Sequence, residues 1–219
     1  MSRPEKLVVI TGTGTGIGKT WVATELLQYL RGRGFRVAAR KPVQSIDPEE
    51  RVTDADALAG ASGEDPNAVC LPNRTYRVPL APPMAAEALG SPVFTIADLA
   101  AEVSWPDGLD IGLVEGAGGC CSPLAADGDT CDLIAALSPD RVVLVTHAGL
   151  GSIHDVRSAT RALGARLGDS PGNPSLAVHL NRFLPGDSLH QANEEWLKER
   201  YGYATFHDPP ALAEMLAIG

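Results

Sequence analysis

The sequence predicts an α/β fold, a mostly parallel sheet with helices on both faces, and three observations carry that expectation. The apolar runs are short and continuous, with little polar alternation, as in strands covered on both sides. Segments with helical periodicity separate them, and a βα alternation of this kind builds parallel sheets. The first run leads into a glycine-rich turn, "TGTGTGIGKT", which opens a helix. The 219 residues suit one domain with a sizeable core, so residues 1–219 are read as a single unit.

Taken in order, residues 6–11 (KLVVIT) form the first strand and 19–31 the first helix. Residues 36–40 (RVAAR) are the second strand, followed by a helix over 54–60 that starts on Asp54 and Asp56, residue types that cap helix N-termini. Residues 61–92, rich in proline, glycine and serine, read as a long connection. A helix over 95–103 then precedes the strand 111–115 (IGLVE), and the strand 141–146 (RVVLVT) precedes a helix over 152–166. A further connection at 168–174 leads to the strand 175–180 (SLAVHL), with closing helices over 190–200 and 210–217. No internal repeat or low-complexity tract interrupts the pattern.

Composition narrows the function classes. With 44% hydrophobic and 21% charged residues, the chain fits a soluble globular protein. Its formal charge of −9 sets a repulsive mean field against nucleic acid, though a small anion can still bind where basic groups converge. No apolar run reaches the roughly 18 residues of a membrane span, and "MSRPEK" enters a strand without a signal-peptide core, so the expected location is cytoplasmic. Cys70, Cys120, Cys121 and Cys131 have neither paired CxxC spacing nor histidines placed for zinc. The adjacent Cys120 and Cys121 are either a strained redox disulfide or, as the sequence favours, two small buried thiols.

The glycine-rich turn has a specific chemistry. Glycines there let backbone N–H groups converge on a phosphate, while the helix N-terminus adds partial positive charge and Lys19 a full one. The Thr20 hydroxyl stands in position to ligate Mg²⁺ carried by a nucleotide. A dinucleotide fingerprint through Gly14 and Gly16 would leave Lys19 and Thr20 without a role, as would a bland glycine turn. The expected architecture is therefore a single-domain P-loop NTPase-like fold, with one irregularity: five residues, not four, separate Gly12 from Gly18. Three more stretches lie near strand ends, where open α/β sheets bind ligands. They are "ARKPVQS" with Lys41, "TDADALAG" with Asp54 and Asp56, and "LVEGAGG" with Glu115, a carboxylate placed as a Mg²⁺ or water ligand would be.

The ordered motifs "TGTGTGIGKT", "KPVQS", "DAL", "APPMAAE", "EGAGG", "LGSIHD" and "LNR", spanning residues 11 to 182, resemble those of the dethiobiotin synthetases of biotin biosynthesis. The resemblance implies a homodimeric enzyme that uses ATP and Mg²⁺ to close a cyclic urea on 7,8-diaminopelargonate with CO₂ or bicarbonate. A carbamate would form first, then a mixed anhydride with phosphate, which the second amine displaces. It implies a nucleotide site of Gly14, Thr15, Gly16, Ile17, Gly18, Lys19, Thr20 and Trp21, joined by Gly116, Ala117 and Gly118, with Asn181 and Arg182 at the base and Pro210, Ala211 and Leu212 completing that pocket. Thr20, Asp56 and Glu115 would form the Mg²⁺ shell, and Lys41, Lys19 and Thr15 would act on the chemistry. Lys41 and Ser45 would also hold the substrate, whose carboxylate would meet Gly151, Ser152 and His154 of the second subunit.

Two positions depart from the family pattern. Ile153, His154 and Asp155 stand where Ile-Asn-His is usual, so Asp155 is expected to point away from a bound carboxylate or to cap its helix. Ile46 replaces the usual glycine after "KPVQS". Rival classes are regulatory ATPases that partition plasmids or place division sites, a non-catalytic nucleotide module, and the synthetase module of cobyrinic acid diamide synthases. The first carries a second lysine early in the loop, where this chain has Gly12, Thr13 and Gly14, and the last needs a glutaminase for which 219 residues are too few.

Overall fold

A computed structural model describes residues 3–167 and 175–217. β1 (Lys6–Gly12) and α1 (Lys19–Gly32) lead to β2 (Val37–Arg40), β3 (Gln44–Ser45) and α2 (Asp54–Ser62). Then come α3 (Pro66–Val69), β4 (Thr75–Tyr76), α4 (Pro82–Ala88), α5 (Ile96–Glu102) and β5 (Ile111–Glu115). A hairpin of β6 (Pro123–Ala125) and β7 (Gly128–Asp129) precedes α6 (Thr130–Leu137), β8 (Arg141–His147) and α7 (Ser152–Leu167). β9 (Ser175–Asn181), α8 (Ser188–Tyr201), β10 (Ala204–Phe206) and α9 (Pro209–Ala217) complete the chain.

The main sheet runs β2-β5-β1-β8-β9-β10, parallel throughout. Alternate residues of β1 explain why its sequence does not alternate in polarity. Val8 and Ile10 pack against α1, α2 and α9 through Leu26, Leu58 and Leu212, while Leu7 and Val9 pack on the other face against α6, α7 and α8 through Ile134, Val156 and Leu197. With both faces covered, every position must be apolar. The parallel register brings strand ends together: Ile10 lies beside Glu115, and Arg40, the residue before Lys41, beside Val114. The loops carrying chemistry thus emerge from one edge of the sheet.

The connection expected over 61–92 contains α3, β4 and α4, and 3-10 geometry at Pro72–Arg74. Pro66 and Pro82 open the two helices, a position where the missing proline N–H costs nothing. β4 and α4 owe their order to a separate cluster around Tyr76, Ala85, Phe94, Leu99 and Leu124, while α3 joins the main core through Val69. The strand β10, the hairpin and α6 were also outside the sequence expectation, although α6 has an Asp129–Asp132 capping box as its signal. The connection expected at 168–174 lies outside the described residues.

Candidate active site

Between β1 and α1 the chain turns through Gly16 and Gly18, whose φ angles are 72° and 93°. Gly18 is required twice: its conformation is left-handed, and a Cβ there would lie 2.1 Å from the Asn181 amide nitrogen. Lys19 is buried and arches back over the turn, its Nζ donating to the Gly14 carbonyl at 2.9 Å. Burial first, and then the nearby Lys41 charge, hold its pKa down to about 8, with Glu115 and Asp54 offsetting part of the effect.

The second half of the site is a buried cation between two carboxylates. Lys41, only 2% exposed, places Nζ 2.7 Å from Asp54 Oδ2 and 2.7 Å from Glu115 Oε1, and donates to the Gly116 carbonyl at 3.2 Å. Burial opposes its charge, but Glu115 and Asp54 outweigh burial and raise its pKa. For Asp54 burial works upward and Lys41 more strongly downward, leaving the carboxyl acidic, whereas burial leaves the Glu115 carboxyl above its usual range.

Thr20 Oγ1 lies 2.7 Å from Asp54 Oδ1 and 2.8 Å from Glu115 Oε1. One hydroxyl proton serves one of these oxygens, and Glu115 Oε2 is buried with no hydrogen-bond partner among the described residues. An all-oxygen set with an orphaned carboxylate oxygen fits a hard divalent cation such as Mg²⁺. The expected shell needs one correction. Asp56 does not reach Thr20: its Oδ2 accepts from Thr53 N at 2.8 Å and Thr53 Oγ1 at 2.9 Å, closing a capping box at the start of α2, and Asp54 stands beside Thr20 instead. Gln44 holds that helix start in place, its Oε1 accepting from Ala55 N and its Nε2 donating to Thr75 Oγ1, a supporting role the sequence did not suggest.

An open cleft of about 340 Å³ adjoins these groups, bordered by Thr15, Gly16, Gly18 and Lys19 on one side and Lys41, Gln44 and Ser45 on the other. A second, of about 320 Å³, shares Thr15, Ser45, Ala117 and Gly118 with it. Ser45 Oγ is buried at this junction without a hydrogen-bond partner among the described residues. Asn181 donates from Nδ2 to the Ile17 carbonyl at 2.7 Å and accepts from Arg182 N at 2.9 Å, so it braces the turn and keeps one Nδ2 hydrogen in reserve. Arg182 Nη2 lies 3.5 Å from the Gly16 carbonyl, and Trp21, in the first turn of α1, is half exposed. The Leu212 side chain does not reach a pocket; it is fully buried in the core against α1, which leaves Pro210 and the exposed Ala211 as the accessible part of that stretch.

Gly151, Ser152 and His154 lie at the start of α7 and do not border the cleft that holds Lys41. Ser152 N donates to the Gly149 carbonyl, its Oγ is buried without a partner, and His154 is exposed, near Ser158. Asp155 turns to His147, with Oδ2 3.1 Å from Nε2.

A family model described as an AAA domain matches residues 6–203. The ATP-dependent dethiobiotin synthetase of Caulobacter sp. (strain K31) is 40% identical over 207 residues, covering 85% of this chain and 88% of that one. The chain belongs to the dethiobiotin synthetase family. The synthetase of Corynebacterium efficiens agrees at 37% identity over 186 residues, 80% of this chain and 81% of its own. Among solved structures, a plasmid partition protein from Borrelia burgdorferi superposes with a TM-score of 0.57 at 12% identity, covering 99% of this chain and 97% of that one. The pNOB8 ParA structure bound to nonspecific DNA gives 0.53 at 15%, over 94% and 79%. At such identities the likeness is one of fold, which the dethiobiotin synthetase family shares with those proteins.

Proposed function

We propose that this member of the family is an ATP-dependent dethiobiotin synthetase of biotin biosynthesis, closing the ureido ring of 7,8-diaminopelargonate with CO₂ through a carbamate and a carbamic-phosphoric anhydride. The observation that carries the reading is Lys41 held between Asp54 and Glu115, one hydroxyl away from the turn that bears Lys19. A phosphoryl transfer to a carbamate builds negative charge between two anions, and a preorganised buried ammonium stabilises that charge.

Thr20, Asp54 and Glu115 would hold Mg²⁺, which when bound neutralises charge on the nucleotide phosphates. Lys19 would exchange the Gly14 carbonyl for a phosphate oxygen, and the backbone N–H groups of Gly16 to Thr20 would cradle the same phosphates. Lys41 would turn from one of its carboxylates to the carbamate and the transferring phosphoryl group. The unpartnered Ser45 hydroxyl and the exposed Thr15 would orient carbamate and diamine by hydrogen bonds. The active assembly is a cytoplasmic homodimer, with Gly151, Ser152 and His154 meeting the substrate carboxylate across the interface. Their distance from the Lys41 cleft within one chain supports that arrangement. Phosphate release from ATP tests the reading: it should require both 7,8-diaminopelargonate and bicarbonate. Release indifferent to the diamine would overturn it.

A further inference from the structure

Three of the four cysteines meet in space although their spacing gives no metal signature. Cys120 and Cys121 end the loop after β5, and Cys131 sits in the first turn of α6. Their sulfurs all lie within 4.8 Å of one another, with Cys120 Sγ and Cys121 Sγ 3.6 Å apart. Cys120 and Cys131 are buried, and Cys121 is exposed. Local backbone bonds fix the arrangement: Cys131 N donates to the Cys120 carbonyl at 3.1 Å and Cys120 N to the Gly12 carbonyl at 2.8 Å.

We propose that Cys120, Cys121 and Cys131 form a binding site for a thiophilic d¹⁰ cation of the Zn²⁺, Cd²⁺ or Cu⁺ class, on the far side of the phosphate-binding turn from the catalytic cleft. An ion bonded to three sulfurs at about 2.3 Å sets those sulfurs about 3.8 Å apart, close to the spacing already present. A disulfide needs a pair at about 2.05 Å, so either vicinal or long-range pairing would require a larger movement than ligation does. Ligation releases the thiol protons to solvent and needs no oxidant. A cleft of about 300 Å³ bordered by Cys120, Cys121, Ser122 and Asp155 leads to the sulfurs and leaves room for water as a further ligand.

The site has a mechanical consequence. Gly119 packs so closely on the turn that a Cβ would fall 3.2 Å from the Thr13 carbonyl oxygen. An ion fastening Cys120 to α6 therefore stiffens the phosphate-binding turn from behind.

The test uses the fully reduced chain, titrated anaerobically with Cd²⁺ and separately with Zn²⁺. The expected result is one ion per chain, a thiolate-to-Cd²⁺ charge-transfer band of three-sulfur intensity, and a raised Tm. Cys121→Ser, exposed and safe for folding, and Cys131→Ser should each weaken binding at least tenfold and abolish the Tm rise, whereas Cys70→Ser should leave both unchanged. Absence of the band in the wild-type chain, or equal binding in Cys121→Ser and wild type, would overturn the proposal. So would air oxidation to a Cys120–Cys121 or Cys120–Cys131 disulfide in a chain that takes up no Cd²⁺ when reduced.

Discussion

With Asp54 and Glu115 each 2.7 Å from its ammonium, the nearly buried Lys41 stays charged. On the proposed reading that charge serves the reaction and not the nucleotide's grip. Lys41→Ala is expected to lower kcat by roughly a hundredfold, about 3 kcal/mol of barrier, while a non-hydrolysable ATP analogue binds within a few fold by calorimetry. The opposite pattern would make Lys41 a nucleotide clamp. Lys19 behaves differently because burial lowers its pKa to about 8. Below that pH it is charged with or without phosphate; above it, binding must take up a proton, so analogue affinity should fall about tenfold per pH unit. Lys19→Arg should flatten that profile, and a wild-type profile flat to pH 10 would contradict the assignment. Lys19, Thr20, Lys41 and Glu115 were legible in the sequence because each ends a strand or follows a strand or a glycine turn. Asp54 was not separable from Asp56, since two aspartates on one helical turn differ only in where their side chains point.

At the scale of an element, α2 separates two jobs between those aspartates. Asp56 closes the capping box with Thr53 and Asp54 faces Thr20 and Lys41. Asp56→Ala should cost about 1 kcal/mol in denaturant melts and leave the Mg²⁺ requirement unchanged. Asp54→Ala should raise the Mg²⁺ concentration for half-maximal activity at least tenfold. A reversed outcome would return the ligand role to Asp56. The long helices α1, α7 and α8 could be read from periodicity because each buries one face over many residues. Short elements such as α3, β4 and the β6–β7 hairpin carry too few residues for a period; β4 and the hairpin take their order from the cluster around Phe94 and Leu124 and α3 from Val69 in the main core, contacts no local window contains.

At the scale of the whole molecule, the proposed shared site predicts complementation. Lys41→Ala removes the buried cation of one subunit, and His154→Glu adds a charge at the exposed start of α7, leaving the buried Ser152 untouched. Each variant alone should be nearly inactive, and dissociated and reassociated mixtures should regain one working site per mixed dimer. No recovery in mixed dimers verified by mass would place the whole site within one subunit.

The parallel register of β1 also governs how the chain comes to exist. β1 is made before the strands it pairs with: Lys6 pairs with Ile111 and Val8 with Arg141, so both neighbours of this central strand leave the ribosome more than a hundred residues later. Until then its valines and isoleucine have no sheet to join, and the turn that follows it has no Val145 carbonyl to anchor Thr13. The nascent chain must therefore carry an unpaired apolar segment while more than a hundred further residues are added, the situation in which chaperones and slow, non-local folding matter most.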